Sequence, residues 1–379
     1  MRAVLINLAA QGKPPASSAT CNGPAARPPF AGMTAKVRGS AAGGGALLIV
    51  GPSWLGDAVM MGSLAARLKA ARPERRIVVL TPAHLESLVQ RLPGVDDALI
   101  NPFAHGALKL GERARFGASL RGRFDAAIVL PHSWKSALVP FFAGIPRRTG
   151  FVGEARYGLL TDARPLDKAA LPRMVDRFCR LADAPVAEAG EAPWPQLAAD
   201  PGLVEAALTR FGLDGGAPAV ALCVGAEFGP AKRWPAAHFA ALGERLAADG
   251  CAVWVLGGPG DAPIGAEVAA LAPQIVNLAG RTTLAEAIDL IAAARAVVSN
   301  DSGLMHVAAA LGRPVVGLYG ATSPEFTPPL GADAVILYED LPCRPCGERV
   351  CPLGHFKCLN DLAPDRVLAA LRPLLDQAR

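Results

Sequence analysis

Ser299-Asn300-Asp301-Ser302-Gly303-Leu304-Met305-His306 lies between an apolar run and a helix former. Ala294-Arg295-Ala296-Val297-Val298 before it is a short strand signal. Val307-Ala308-Ala309-Ala310-Leu311 after it favours helix and stops at Gly312. The polar residues therefore sit where a strand hands over to a helix. Ser302 is the candidate N-cap, and Gly303 lets the backbone come close to a ligand. A helix start offers unpaired N–H groups and a partial positive charge, which suit a pyrophosphate. Asp301, just outside that cradle, would repel phosphate and is better suited to a sugar hydroxyl. Read alone, the segment is equally that of an ordinary capped helix.

Two further segments follow the same plan. Ala219-Val220-Ala221-Leu222-Cys223-Val224 is an apolar strand. It runs into the loop Gly225-Ala226-Glu227-Phe228-Gly229-Pro230-Ala231-Lys232-Arg233-Trp234-Pro235, and a helix from Ala236 to Ala248 follows. Lys232 at the mouth of that loop could neutralise charge on a leaving phosphate, although an exposed loop lysine is usually only solvated. Nearer the start, Ala46-Leu47-Leu48-Ile49-Val50 reads as a buried strand. Gly51-Pro52-Ser53-Trp54-Leu55-Gly56-Asp57 and a helix through Leu68 follow it. Asp57 falls at the carboxyl end of the first strand, where open α/β sheets place ligand-contacting groups. It could accept a proton from a hydroxyl nucleophile, or simply cap the helix.

Strands are also expected at Arg76 to Leu80, Ala98 to Ile100, Ala126 to Leu130, Ala252 to Leu256, Ile275 to Asn277, Ala296 to Ser299 and Val315 to Leu318. Repeated strand-then-helix patterns predict an α/β fold with parallel sheets, and 379 residues suffice for two domains. There is no internal sequence repeat. The segment Leu181 to Gly216 reads as the interdomain connection, with a helix around Leu203 to Phe211.

Together these segments resemble the heptosyltransferases of glycosyltransferase family 9, and within them the heptosyltransferase II type. The likeness continues through Arg313-Pro314, Leu318-Tyr319-Gly320, Ser323-Pro324-Glu325-Phe326-Thr327-Pro328-Pro329, Pro140 to Gly150 and Arg156-Tyr157-Gly158-Leu159-Leu160. It covers the chain from about Leu47 to the C-terminus. The resemblance implies a GT-B architecture, in which two doubly wound Rossmann-like domains face a central cleft. The expected boundaries are an N-terminal extension over 1–45, an acceptor domain over 46–185, a connection over 186–215, a donor domain over 216–360 and a C-terminal helix over 361–379.

The same resemblance implies inverting transfer of L-glycero-D-manno-heptose from ADP-heptose to the first heptose of the lipopolysaccharide inner core, with no cofactor and no metal in the chemistry. By position, Asp57 matches the general base and Lys232 the phosphate- and sugar-contacting lysine. Asp301 matches the donor-heptose contact, and Ser302, Gly303 and His306 the donor-phosphate segment. Gly225 belongs to the matching donor loop. Asp261, after the Ala252 to Gly258 strand and loop, is a candidate for the ribose hydroxyls and equally a turn residue. His132, after the Ile128-Val129-Leu130 strand, is a lesser candidate for the acceptor side. The rival readings are heptosyltransferase I or III of the same family, a GT-B-like sugar-nucleotide epimerase, and a metal-dependent assembly module.

The net charge of +5 is modest and has no aromatic-rich basic stripe, which excludes a nucleic-acid footprint. Most cations of the first half read as solvated faces. Lys135, Arg147 and Arg148 lie in a matching segment, and the resemblance makes them candidates for an acidic heptosyl-Kdo2-lipid A acceptor. Cations on that domain also favour an anionic membrane surface. No apolar run reaches transmembrane length. Met1 to Ala10 is a poor signal peptide, Gln11 to Gly45 is a low-complexity tract expected to be disordered, and Met33 is an alternative start. The expected location is the cytoplasm, peripheral at the inner face of the inner membrane.

Cys21, Cys179, Cys223 and Cys251 are scattered. Cys343, Cys346, Cys351 and Cys358 cluster around His355, which admits either a structural zinc or a metal-free thiol-rich loop. The spacing lacks the long gap between two knuckles, and the transfer chemistry does not need the metal.

Overall fold

The computed structural model describes residues 45–104, 106–182, 191–213 and 216–377. The expectations for the N-terminal extension fall outside the described residues. In the first half the strands are β1 (Leu47–Val50), β2 (Ile77–Pro82), β3 (Asp97–Asn101), β4 (Ala126–Val129), β5 (Arg147–Phe151) and β6 (Asp162–Arg164). Its helices are α1 (Leu55–Ala71), α2 (Glu86–Val89), α3 (Leu110–Ala118), α4 (Leu138–Phe142) and α5 (Met174–Cys179). Helix α6 (Pro201–Phe211) leads to the second half, with β7 (Ala219–Cys223), β8 (Ala252–Leu256), β9 (Val276–Asn277), β10 (Ala296–Asn300), β11 (Val315–Leu318) and β12 (Ala334–Leu337). Its helices are α7 (Ala236–Ala248), α8 (Ala262–Leu271), α9 (Leu284–Ala293), α10 (Gly303–Ala310), α11 (Lys357–Asn360) and α12 (Pro364–Gln377).

Each half is a six-stranded parallel sheet. The orders are β3-β2-β1-β4-β5-β6 and β12-β11-β10-β7-β8-β9. Counted from its own first strand, the second sheet repeats the order of the first, so both are doubly wound. The strand order reverses between β1 and β4 in one sheet and between β7 and β10 in the other. Ligands of open α/β sheets bind beyond the carboxyl ends of the strands at such a reversal. β1, β4, β7 and β10 are buried along their whole length, because helices cover both faces of each sheet. Their near-continuous apolar runs are what made them visible in the sequence.

β5, β6 and β12 were not anticipated. β5 opens on two arginines, β6 has three residues and only partial burial, and β12 is a half-buried edge. β5 and β6 lack the apolar run of a central strand; β12 has one, Ala334-Val335-Ile336-Leu337, but it is short and only half-buried at the edge of the sheet.

One apolar core crosses from half to half. Met60, Met61 and Leu64 of α1 belong to the same buried cluster as Met305, Val307 and Ala308 of α10. Separate clusters line the outer faces, with Phe116 and Val139 on the first sheet and Phe239 and Leu371 on the second. The joint is also polar. Arg91 grips Asp289 of α9 through two bonds of 2.5 and 2.9 Å, and the Asp289 carboxylate is buried. The connecting chain is stitched to both sides, Leu197 donating to the Ala310 carbonyl and Ala198 to that of Arg91. Helix α6 is set by local chemistry: Asp200 caps it by accepting from Gly202 N–H at 2.8 Å, Pro201 starts it, and Gly212 ends it at φ 62°.

Candidate functional site

Two helix starts meet at the joint. A Cβ on Gly303 would lie 2.6 Å from the Leu55 Cβ, and one on Gly56 would lie 2.8 Å from the His306 ring. Only hydrogen at these two positions lets the first turns of α1 and α10 come so close. The result is a cavity of about 270 Å³ between the halves, whose wall includes Asp57, Lys232, Asp301, Ser302, Gly303 and His306. Substituting Gly303 by Ala must push Leu55 and α1 away from α10. Turnover should fall about 100-fold, as a displacement near 1 Å costs elsewhere. Unchanged kcat in Gly303→Ala would show that this close approach does not matter.

The cationic side of the cavity is built on the second sheet. Asn300, at the end of β10, is buried. Its Nδ2 donates to the Val224 carbonyl at 2.8 Å, and its Oδ1 accepts from Trp234 N–H at 3.0 Å. This clamps both ends of the loop that carries Lys232. Lys232 Nζ then donates to Asp301 Oδ2 at 2.6 Å, and the Thr322 hydroxyl donates to the same oxygen at 2.5 Å. Asp301 is 4 % exposed, so this bridge is shielded from solvent. Nζ also lies 5.0 Å from the centre of the Phe228 ring. A mostly buried lysine fixed by a carboxylate and an aromatic ring is a prepared electrostatic group.

Ser302 occupies the N-cap position of α10, yet its side chain makes no bond to the helix N–H groups. Its Oγ lies 3.2 Å from Ser299 Oγ instead. The first N–H groups of α10 therefore have no side-chain cap and remain available to an anion. His306 is buried, and burial pushes its imidazole down to about 4, so it is neutral at physiological pH.

Asp57 faces this cationic wall from the first sheet. It is the third residue of α1, whose N-cap is Trp54, and it makes no capping bond. Asp57 is therefore not the N-cap itself, although it lies in the first turn of α1. Burial pushes its carboxyl up to about 6, while the Lys232 charge pulls the other way. Asp57 also borders a second cavity of about 240 Å³, lined by Ser53, Trp54, Leu130 and His132 and lying wholly on the first half. Asp57, Trp54 and Met174 are common to both cavities. The carboxylate thus stands at the junction of two spaces, one reaching each sheet.

The remaining candidates lie elsewhere. Gly225 and Asp261 end β7 and the turn after β8, side by side: a Cβ on Gly225 would lie 2.2 Å from Asp261 Oδ2. Asp261 accepts from Gly258 N–H at 2.9 Å, as a turn residue does. Lys135 borders a smaller cavity of the first half with Arg113 and Asn101. Arg147 and Arg148 are not brought to the site. They begin β5 in register with Ala126 and Ala127, at the end of the sheet opposite Asp57. The Arg148 guanidinium is spent on the Leu159 and Ile145 carbonyls.

Among the described residues, no three His, Cys, Asp or Glu side chains are grouped to hold a metal. The loop of Cys343, Cys346, Cys351 and Cys358 serves the site differently. Arg344 donates to the Gly320 and Thr322 carbonyls at 2.7 and 3.1 Å, and the Arg349 carbonyl accepts from Ala231 N–H at 3.1 Å. The loop braces the segments that hold Lys232 and Asp301. A larger open hollow of about 800 Å³ lies at the amino ends of β7, β10 and β11. Two of its cations are already engaged, Arg372 with Asp249 at 3.1 Å and Arg295 with the Leu375 carbonyl at 2.9 Å.

Sequence reading missed Thr322 and Trp54. Thr322 lies in the loop after β11, and the rule that strand ends carry ligand groups would have found it. Trp54 is 41 % exposed at the N-cap of the helix that carries Asp57, and a large apolar side chain left outside the core was the available signal.

The family model of glycosyltransferase family 9 (heptosyltransferase) matches residues 113–357. The chain is 47 % identical over 343 residues to the lipopolysaccharide heptosyltransferase 2 of Salmonella typhimurium, covering 87 % of this chain and 99 % of that one. It is 44 % identical over 352 residues to the lipooligosaccharide heptosyltransferase 2 of Haemophilus influenzae, with the same coverage. The solved structure of ADP-heptose lipopolysaccharide heptosyltransferase II from E. coli superposes with a TM-score of 0.79 at 44 % identity, covering 87 % of this chain and 98 % of that one.

Proposed function

This chain belongs to glycosyltransferase family 9, the heptosyltransferases, and on that premise we propose that it transfers L-glycero-D-manno-heptose from ADP-heptose to the first heptose of the lipopolysaccharide inner core. One observation carries the reading: Asp57 on one sheet and the Lys232–Asp301 pair with the α10 start on the other converge on a single cavity. Relatives matched along nearly their whole length have the type 2 name, which supports the second-heptose acceptor over those of types I and III.

The donor pyrophosphate binds at the uncapped start of α10, at Ser302 and Gly303, with Lys232 beside it. Asp301, itself held by the Thr322 hydroxyl, keeps Lys232 in place and faces the donor sugar. Asp261 with Gly225 is suited to the ribose. The acceptor enters from the first half, past Trp54 and His132, with Lys135 nearby for its acidic groups. Asp57 takes the proton of the acceptor hydroxyl as its oxygen bonds to the anomeric carbon. The bond from that carbon to phosphate breaks on the opposite face, ADP departs with the electron pair, and the configuration inverts. A carboxylate whose pKa lies near 6 is still ionised at neutral pH and is a stronger base than an ordinary one. Lys232 and the helix dipole stabilise the charge that gathers on the leaving phosphate. The proposal routes no step through a metal. The enzyme works peripherally at the inner face of the inner membrane, where its acceptor is anchored.

The deciding assay is ADP release from ADP-heptose, in chelator, with and without an acceptor that carries one heptose. The expected outcome is acceptor-dependent release with a heptose-sized mass gain. Release only with heptose-free Kdo-lipid A would move the enzyme to type I. Failure with both acceptors by a folded protein would remove the donor assignment.

A further inference from the structure

Four large apolar side chains are exposed at the carboxyl end of the first sheet, three in the connections after its strands and one at the first residue of α3, and the transfer step uses none of them. They are Leu108 (43 % exposed), Leu110 (48 %), Trp134 (38 %) and Tyr157 (71 %). The loops follow β3, β4 and β5, yet they are tied into one surface. The buried Arg113 donates to the Leu108 and Ala107 carbonyls at 2.6 and 2.9 Å and reaches the Lys135 carbonyl at 3.4 Å. Trp134 N–H donates to Glu154 Oε2 at 3.1 Å. Arg156, next to Tyr157, donates to the Pro131 carbonyl at 2.5 Å and to that of Ser133 at 3.4 Å. Beside the apolar tips, Lys109 and Ala155 both adopt φ 44°. Non-glycine residues keep that left-handed conformation only where their surroundings impose it.

The surface is cationic as well as apolar. The three loops and the first turns of α3 carry Lys109, Arg115 and Lys135 at the surface, with the buried Arg113 and Arg156 beneath them, against Glu112 and Glu154. Glu112 is engaged by Lys109 at 3.2 Å and Glu154 by the Trp134 N–H. Single exposed apolar residues are ordinary on any protein. Two aromatics and two leucines on linked loops in a field of excess positive charge match a different solvent. Indole and phenol rings partition to lipid headgroup depth, and lysine and arginine are drawn to anionic lipids. We propose that this rim is a docking face for an anionic lipid bilayer. It deepens the transfer reading, on which it rests for the membrane-anchored acceptor, because it lies at the same strand ends as Asp57.

The test is flotation of the full chain with vesicles of phosphatidylcholine alone, and with vesicles of equal parts phosphatidylcholine and phosphatidylglycerol. The chain should float with the anionic vesicles, stay behind with the neutral ones, and be released by high salt. Trp134→Ser/Tyr157→Ser should lower its partition at least about tenfold. Its kcat/KM on a deacylated, water-soluble heptosyl-Kdo acceptor should be unchanged, which also shows that the variant folds. Tyr157→Ser alone, at the most exposed of the four positions, gives a smaller loss and serves if the double variant is unstable. Partition equal to wild type in these variants, or no binding of the wild type to anionic vesicles, overturns the proposal. Equal binding to neutral vesicles overturns its electrostatic half. Vesicle binding without turnover on the soluble acceptor sinks the transfer reading and leaves the docking face standing.

Discussion

Asp57→Asn is expected to lower kcat by about 10²–10⁴-fold, the usual contribution of a general base, while donor affinity changes little. In the wild type, kcat/KM should rise with pH through about 6 and then level off, because only the ionised carboxylate accepts the proton. The same shift has a consequence for stability. Burial raises the folded pKa of Asp57 above its ordinary value of 3.8, so the folded protein holds more protons than the unfolded chain between 3.8 and about 6. Stability from this group is complete below 3.8 and falls as pH rises to about 6. Above that, the ionised carboxylate costs about 3 kcal/mol. The inactive Asp57→Asn protein should therefore melt at a higher temperature than wild type at pH 8, and the gain should vanish at pH 3.5. A variant of normal activity, or one less stable at pH 8, would rule out a desolvated base at this position.

Lys232→Ala should weaken donor binding and turnover together, with kcat/KM falling about 10²–10³-fold, as for loss of one prepared transition-state donor. The fold should suffer too, because Asp301 would be left buried without its cation, a change that costs about 3–5 kcal/mol. The double variant Lys232→Ala/Asp301→Asn separates the two effects. It should recover most of the melting temperature, since no unpaired charge remains, and none of the turnover. Isothermal titration with ADP-heptose and thermal melting read the two quantities independently. If the single variant keeps both donor affinity and turnover, Lys232 is only a structural ion-pair partner.

Much of the fold was legible because a doubly wound sheet repeats one pattern. The runs at Leu47, Ala126 and Ala219 are apolar throughout, and that at Ala296 is apolar up to Ser299, since helices cover both faces of each sheet. Strand ends at β1, β7 and β10 made Asp57, Lys232 and Asp301 candidates on general grounds, and all three line one cavity. β5 and β6, next to the edge and at it, escaped because their polar residues break the apolar signature. Arg147 and Arg148 misled for a related reason. Charge is visible in a sequence, but the end of a strand on which it lies is not until the strand is recognised.

By itself, then, the sequence determined two parallel α/β halves and the chemical type of each strand-end loop, because periodicity and loop composition are local properties. Only the tertiary structure decided that Gly56 and Gly303 let two helix starts touch, that Asn300 clamps the Lys232 loop, and that Asp57 stands desolvated at the junction of two cavities. Contact and desolvation depend on atoms distant in the chain, and no window of neighbouring residues contains them.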